Sequence, residues 1–235
     1  MPTPSAACPF PQAPDPMKVR EAIHSATPAL QSSDSVEKAL GLLMEHHVRH
    51  LPVVNEDGRL AGIIAEERLM DADGPASSIG ALLVGRPVSV PPDAHIFDAA
   101  RMMVKHDLST VPVAGSEGQY HGLLRRHDIF DQFAQMLSTR ERGAILALEV
   151  DPRDYALSKL IHVIEQNEAK VLAVASELPE TSTDDIRVTL KLNVKDTSRV
   201  RHVLEHNDYH VVAAFGEEGE ELEELVDEFV RYLEV

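Results

Sequence analysis

The apolar positions of this chain recur at a spacing of sixty residues. The segment 51–54 (Leu-Pro-Val-Val) returns at 111–114 as Val-Pro-Val-Ala, and 62–64 (Gly-Ile-Ile) returns at 122–124 as Gly-Leu-Leu. Helix positions match in the same register: Ala39 with Ala99, Leu42 with Met102, Leu43 with Met103 and His46 with His106. Because each copy must bury the same face, the pattern predicts one structural unit built twice, with two equivalent clefts.

Each copy is predicted to be a β-α-β-β-α unit. Ser35 offers N-cap chemistry for an amphipathic helix, and Pro52 cannot lie inside that helix, so the chain changes to a strand. In copy one we expect a helical lead-in at 18–23, an extended piece at 28–30, a helix at 36–44, strands at 51–54 and 60–64, and a helix at 66–70. In copy two we expect a lead-in at 79–84, an extended piece at 87–90, a helix at 93–106, strands at 110–113 and 120–124, and a helix at 127–137.

After Arg140 the pattern changes to β-α-β-β-α-β, the ferredoxin-like arrangement. The strongest strand signal is the strict alternation at 186–194. The predicted strands are 144–150, 171–175, 186–194 and 210–215, the helices are 157–166 and 200–205, and an acidic helix at 222–233 follows.

Composition limits the classes of function. The chain has 235 residues, is 43% hydrophobic and only 4% aromatic, so we expect an aliphatic core. Its single cysteine, Cys8, rules out a disulfide within one chain and fits a reducing cytosol. The Pro-rich residues 1–16 are expected to be a disordered tail and not a signal peptide, and no apolar stretch is long enough to cross a bilayer. A cytoplasmic location is therefore predicted.

The net charge of −17 argues against partners that bind positively charged protein surfaces. Nucleic acids and anionic membranes bind clustered Lys and Arg, and here acids outnumber those residues by 39 to 22. We therefore expect neither nucleic acid nor membrane as a partner.

On the Pro-Val and Gly-Ile-Ile or Gly-Leu-Leu strands and the helix that follows them, the two copies resemble CBS domains, and the pair resembles a Bateman module. In its topology, the last part of the chain resembles an ACT domain. The order CBS-CBS-ACT is similar to the acetoin-utilisation type of bacterial CBS-ACT protein. The resemblance implies an α+β fold, with CBS repeats at 17–72 and 78–138 forming a pseudo-symmetric pair and a ferredoxin-like, ACT-like domain with its acidic helix at 142–235.

The CBS resemblance implies a nucleotide site in the second repeat. In CBS modules a Ser or Thr follows the Gly-hydrophobic strand, and an Asp three residues later accepts hydrogen bonds from both ribose hydroxyls. Asp128 stands at that Asp position, and Arg125 replaces the Ser or Thr. Repeat one has Ala65 and Arg68 instead, and Arg cannot accept hydrogen bonds, so we expect one competent cleft per chain.

By the same resemblance, each cleft borrows its base-contacting backbone from the other repeat. The adenine would lie against Ala29, Leu30, His50, Leu51 and Pro52. Arg125 and His50 would supply cations for the phosphates. Without the resemblance, Asp128 has a simpler interpretation as an N-cap or helix-dipole acid.

The ACT resemblance departs at the family's ligand loop. That loop commonly carries a Gly that lets an amino acid approach the backbone, whereas the segment 151–157 has none. A role in dimerisation is therefore at least as well supported there as an amino-acid ligand.

Other combinations of polar residues do not predict a metal site or a catalytic site. His46 and His50 have i, i+4 spacing, but the helix must end before Pro52 and no catalytic Glu stands between them. Ser109 follows His106 without a nucleophile elbow, and no phosphate-binding Gly loop is present. We expect no enzyme activity and no required cofactor.

These features predict a cytosolic regulatory homodimer that senses AMP, ADP, ATP or S-adenosylmethionine through its CBS pair and controls an unidentified protein. The alternative is a ligand-free module for dimerisation or partner control, which the degenerate first repeat and the missing ACT Gly favour.

Overall fold

In the computed structural model, which describes residues 17–24, 26–72, 74–178 and 185–216, the chain divides into two units between Gln132 and Phe133. The first unit holds both repeats except the end of the last helix of repeat two, which continues past Gln132. Repeat one contains a 3-10 turn Val19–Ala22, β1 (Leu30–Gln31), α1 (Val36–His46), β2 (His50–Val54), β3 (Leu60–Ala65) and α2 (Glu66–Met70). Repeat two contains a 3-10 turn Ile79–Leu82, α3 (Ile96–His106), β4 (Thr110–Ala114), β5 (Tyr120–Arg125) and α4 (Arg126–Met136).

The predicted helices and hairpins of both repeats are confirmed, with one difference in repeat two. The extended piece expected at 87–90 is not a strand and contributes a single parallel bridge, Val90 with Val113. In repeat one the equivalent Leu30 pairs with Val53 inside β1. Segment 87–92 contains three prolines, whereas β1 contains none, and proline has no N–H for a strand ladder.

The first helix of each repeat begins and ends at equivalent positions. The Ser35 hydroxyl caps α1 by accepting the N–H of Lys38 at 3.2 Å, and the His95 ring caps α3 by accepting the N–H of Phe97. Both helices end at a residue in the left-handed conformation, His47 with φ 53° and Asp107 with φ 47°. The buried residues Val36, Ala39 and Leu43 of α1 match Ile96, Ala99 and Met103 of α3, so the same face packs inward twice.

Each repeat is completed by contacts from the segment that precedes the other repeat in the chain. We call residues 17–24 and 77–83 the lead-in segments. The Val19 N–H donates to the Ala94 carbonyl at 2.9 Å, and sixty residues later the Ile79 N–H donates to the Asp34 carbonyl at 3.0 Å. Each lead-in segment thus binds the start of the other repeat's helix, and the exchange joins the repeats into one unit.

The far end of each lead-in segment packs against a glycine of the opposite hairpin. Gly122 faces the side chain of Ile23, and Gly62 faces the side chain of Leu83. Next to the first contact, the His24 N–H donates to the Leu123 carbonyl at 2.8 Å. This contact positions the first lead-in segment beside β5 and the start of α4.

The second unit contains one four-stranded sheet with two helices. Its elements are β6 (Ile145–Val150), α5 (Leu157–Glu165), β7 (Val171–Glu177), β8 (Ile186–Leu192), α6 (Ser198–His206) and β9 (His210–Phe215). The strand order is β7-β8-β6-β9, and every neighbouring pair is antiparallel. The alternation predicted for β8 is confirmed, because Ile186, Val188 and Leu190 are buried in the core.

Two predicted segments, the tail at 1–16 and the acidic helix at 222–233, lie outside the described residues. The predicted domain boundaries at 72, 78, 138 and 142 stay predictions. Within the described ranges, no helix combines the length and the apolar character needed to cross a bilayer.

Substituting Gly122 tests the contact between the first lead-in segment and β5. Gly122 has φ +142°, and an added Cβ would overlap the Ile23 side chain. We expect Gly122→Ala to lower the free energy of unfolding by about 1–3 kcal/mol, from strain and overpacking together. Chemical denaturation of the full chain measures this. Gly74→Ala is the control, because no atom lies within 4 Å of a Cβ there; equal effects of the two substitutions would contradict the prediction.

Candidate functional site

Asp128 lies in the first turn of α4 and binds Arg125, the last residue of β5. The Arg125 Nε donates to Asp128 Oδ2 at 3.0 Å, and Nη2 donates to Oδ1 at 2.7 Å. The backbone N–H of Arg125 also donates to Oδ2 at 3.0 Å. We call this arrangement the closed pair. It occupies both carboxylate oxygens at the position where the resemblance implies a ribose contact.

The closed pair keeps Asp128 ionised. Burial raises the pKa of Asp128, but the hydrogen bonds from the Arg125 side chain and backbone outweigh it, so that the pKa is lowered below its ordinary value of 3.8. The nearby His24 side chain lowers the pKa of Asp128 further. The hydrogen bond to Asp128 in turn raises the pKa of Arg125. The side chains keep 17% (Asp128) and 28% (Arg125) of their surface exposed, so the pair remains within reach of solvent.

His50, the first residue of β2 in repeat one, contacts the start of β4 in repeat two. The N–H of Ser109 donates to His50 Nδ1 at 3.1 Å, and the Thr110 hydroxyl donates to the His50 carbonyl at 2.8 Å. Thr110 is the strand partner of Arg125, so these contacts link His50 to the closed pair. Burial and the nearby Arg49 lower the pKa of His50, so its ring is neutral at pH 7. A neutral ring disfavours the cationic role predicted for His50 toward phosphates.

The other predicted base contacts lie on the sheet of repeat one. Leu30 and Leu51 are fully buried, Pro52 is buried, and Ala29 is partly exposed. Within the described residues, Asp128 is hydrogen-bonded to Arg125 and to none of these four residues. Of the five predicted base contacts, only Ala29 and His50 are partly exposed to solvent. The predicted nucleotide site therefore stays a prediction.

The sequence analysis did not single out Thr27, nor His24, whose effect on Asp128 is described above. Thr27 precedes β1, is 4% exposed, and its hydroxyl has no hydrogen-bond partner in the described part of the protein. Leaving a buried hydroxyl unpaired costs about 1–3 kcal/mol, so the position calls for an explanation. The Thr27-Pro28 dipeptide marks a strand start, but nothing in the sequence indicates that the hydroxyl is buried without a partner.

A cavity of about 290 Å³ lies between the repeats on the side of Ala65. It is lined by Arg49, His50, Ala65, Glu66, Glu67, His106 and Asp107. Three carboxylates against one guanidinium make this cavity unfavourable for a phosphate. The repeat-one side therefore has no Asp equivalent to Asp128, and carboxylates outnumber cations in its lining.

No described group of three or more His, Cys, Asp and Glu side chains has the arrangement of a metal site. His46 and His50, which have i, i+4 spacing in the sequence, do not lie on one helix, because α1 ends at His46. The His50 Nδ1 accepts the N–H of Ser109. The expectations of no required cofactor and no catalysis stay predictions.

Comparison with known proteins identifies the two repeats. Residues 19–74 and 79–135 each match the model of the CBS domain. Homoserine O-acetyltransferase of Methanocorpusculum labreanum is 26% identical over 110 residues, which cover 46% of this chain and 23% of that enzyme. The chain spans less than a third of the length of the first curated relatives it matches.

Two solved structures align with about half of the chain. A CBS domain pair/ACT domain protein from Thermotoga maritima has 22% identity and a TM-score of 0.48, covering 52% of this chain and 99% of that one. The protein CBSX2, solved in complex with AMP, has 24% identity and a TM-score of 0.46, covering 51% of this chain and 97% of that one. The tandem CBS pair is shown by the match of both repeats to the model of the CBS domain, whereas the ACT-like assignment of the second unit stays a prediction.

The closed pair predicts an acid-dependent loss of stability. Because the folded-state pKa of Asp128 lies below its unfolded value of 3.8, the contribution of the pair is fully present above that value and is lost as the pH falls through the folded pKa. We expect Asp128→Asn to be less stable than the natural chain at pH 7, with the difference shrinking below about pH 4. Urea denaturation from pH 7 to pH 2.5 measures both proteins. A constant difference across that range would contradict the assignment.

Proposed function

The chain carries a tandem pair of CBS domains, and from that premise we propose that it is a regulatory protein that binds an adenine nucleotide or adenosyl ligand beside Asp128. The observation that carries the proposal is the geometry of the closed pair. Asp128 holds its two oxygens side by side toward two donors, Nε and Nη2 of Arg125. A ribose with two adjacent hydroxyls offers the same pair of donors, so it can replace the guanidinium without moving the carboxylate.

Release of Arg125 gives that side chain a second role. A guanidinium displaced from a carboxylate needs another anion, and a nucleotide phosphate accepts its donors in the same two-pronged way. In this proposal Asp128 receives the ribose while Arg125 turns to the phosphates. Because His50 is neutral at pH 7, Arg125 provides the cation near this cleft.

The residues between the first 3-10 turn and β1 supply further polar groups for a ligand. The Thr27 hydroxyl is buried without a partner, and His24 lies close enough to Asp128 to lower the pKa of that carboxyl. A ligand that carries hydrogen-bond donors and acceptors would remove the cost of the unpaired hydroxyl. Both residues precede β1, the strand that the resemblance places against the base.

A ligand-free module for dimerisation or partner control is the second candidate, and the closed pair itself favours it. Without a ligand both Asp128 oxygens are satisfied, and Leu30 and Leu51 have no exposed surface to offer a base. In that reading the Arg125–Asp128 contact is a permanent ion pair that fixes the junction of β5 and α4.

We interpret the second unit as a ferredoxin-like, ACT-like domain that passes the state of the CBS pair to a regulated protein. Its β-α-β-β-α-β element order and its strand order β7-β8-β6-β9 support this interpretation. A cavity of about 330 Å³ adjoins the loop after β6, but Glu149, Asp151, Asp154 and Asp208 line it against a single cation, Lys159. That lining does not favour the carboxylate of an amino acid, so we assign the unit to protein contacts. We also propose that the protein is cytoplasmic and homodimeric.

Titration calorimetry with AMP, ADP, ATP, S-adenosylmethionine and adenosine tests the ligand proposal. We expect heat with at least one of them and a rise in melting temperature at saturation. Asp128→Ala should weaken binding by roughly tenfold or more, because two hydrogen bonds to a charged group are lost. Asp57→Ala, with the same change of charge on the exposed hairpin turn of repeat one, is the matched control and should bind like the natural chain.

Arg125→Ser separates the two candidates. Under the ligand proposal this variant binds adenosine more tightly than the natural chain does, since no guanidinium competes for Asp128, while ATP gains less because its phosphates lose a partner. Absence of heat with all five compounds, for both the natural chain and Arg125→Ser, would establish the ligand-free module instead.

A further inference from the structure

The sheet of the second unit has one face that is covered by helices and one that is not. Every second residue of β6 and β8 packs against α5 and α6, and Leu146, Leu148 and Leu190 of this set have no exposed surface. The residues between them point to the other side of the sheet, which we call the open face. By strand register its central members, all partly or fully exposed, are Ile145, Ala147, Ala173, Ala175, Thr189, Lys191, Ala213 and Phe215.

The open face is apolar, and its side chains are short at the centre. The register places Ala175, Thr189, Ala147 and Ala213 in one row across all four strands. The neighbouring row ends at Phe215, whose side chain keeps 64% of its surface exposed. A cavity of about 270 Å³ lies on this face, with Ala173, Ala175, Thr189 and Ile145 in its lining. Short side chains leave room for longer ones from a facing element, so the face can receive the apolar side of a helix.

The residues that follow β9 carry a matching apolar pattern. We call residues 217–235 the acidic segment. Its apolar residues Leu222, Leu225, Val226, Phe229 and Leu233 recur at the i, i+3, i+4, i+7, i+11 spacing of one side of a helix. The residues of the opposite side are charged: Glu223, Glu224, Asp227 and Glu228. The sequence thus predicts an amphipathic helix over 222–233, which needs an apolar surface to cover its apolar side.

The open face lies within reach of the acidic segment. β9 ends at Phe215, which pairs with Ile145 and points to the open face. Residues 216–221 connect Phe215 to Leu222, and six extended residues span at most about 20 Å. Four strands are about 14 Å wide, and the predicted helix is about 18 Å long. The helix can therefore lie over any part of the face.

The charges beside the cavity are complementary to the acidic segment. Turn 137–143, two of whose residues line the cavity, carries Arg140 and Arg142, and both are exposed. Lys191 belongs to the lining itself. Because β6 begins where β9 ends, the chain leaves β9 beside this turn. The acidic segment has nine acids and one arginine, so a local group of cations attracts it.

We propose that the acidic segment folds as a helix onto the open face of its own sheet. Its apolar side covers the row of Ala175, Thr189, Ala147 and Ala213, and its first acids lie beside Arg140 and Arg142. The second unit then has three layers, with helices on both faces of the sheet. This contact assigns the open face to the chain itself and does not depend on nucleotide binding.

A single tryptophan tests the contact, because the natural chain has none. In the full chain with Phe229→Trp we expect short-wavelength emission and weak quenching by acrylamide, as for an indole packed in a protein interior. Adding Ala147→Glu places a carboxylate in the middle of the open face. Emission and quenching should then move most of the way to the values of the same chain unfolded in urea. His202→Glu, the same added carboxylate on the exposed side of α6, is the matched control and should change neither.

Arg142→Glu provides a second variant, which should not harm folding because Arg142 is exposed in a turn. In the Phe229→Trp chain at low salt it should increase acrylamide quenching, whereas Arg153→Glu on the exposed loop after β6 should not. Sodium chloride at about 1 M should remove the difference between the two variants, since salt screens exposed charges. Emission typical of a solvent-exposed indole in the Phe229→Trp chain would overturn the proposal. Equal quenching of the two arginine variants at low salt would overturn the placement of the acids.

Crosslinking shows which chain supplies the segment. In a Cys8→Ala background, the chain with Ala147→Cys and Phe229→Cys should form a disulfide within one chain on oxidation, visible at the mass of a single chain in a non-reducing gel. Ala147→Cys with Glu228→Cys, on the charged side of the predicted helix, is the control and should crosslink far less. A disulfide between two chains would assign the face to the segment of a second copy. That result, or the absence of any disulfide, would overturn the proposal.

The nucleotide proposal and the helix contact are tested separately. Titration calorimetry can show no binding of any nucleotide while every outcome expected for the acidic segment is still obtained. Equally, an exposed acidic segment leaves the cleft beside Asp128 unchanged, because the segment and that cleft belong to different units.

Discussion

The reciprocal exchange of lead-in segments is the interaction on which the first unit depends. Val19 binds the start of repeat two and Ile79 binds the start of repeat one, each through a backbone hydrogen bond and a fully buried side chain. Neither repeat has a complete core without the other, because the segment that covers its helix start belongs to its neighbour. The pseudo-two-fold symmetry of the unit is a result of this exchange and not only of the duplicated sequence.

The same exchange explains why a symmetric fold carries asymmetric chemistry. The backbone contacts that hold the repeats together recur at equivalent positions, so the fold constrains those positions in both copies. Side chains at the two strand-to-helix junctions are not under that constraint, and there Ala65 and Arg68 stand opposite Arg125 and Asp128. The exposed helix residues are equally free to differ, as Glu45 and Lys105 do. The architecture is thus duplicated, whereas the side chains at the strand-to-helix junctions and the surface charges differ between the copies.

The sequence predicted most of the fold because apolar periodicity and the positions of proline are local signals. The helix start at Ser35 and the alternation along β8 could be identified from neighbouring residues. The adjacency of Arg125 and Asp128 could also be predicted, since only two residues separate them across a strand-to-helix junction. The neutral ring of His50 and the unpaired hydroxyl of Thr27 could not, because both depend on burial between segments distant in sequence.

The strength of the closed pair would also set the ligand concentration at which a site beside Asp128 responds. If only the fraction of molecules with Arg125 turned away can bind, the apparent dissociation constant equals the intrinsic constant divided by that fraction. A change that strengthens or weakens the ion pair then shifts the concentration at which the protein responds, while every ligand contact stays the same. Selection could in this way match one binding cleft to different cellular concentrations through residues that never touch the ligand.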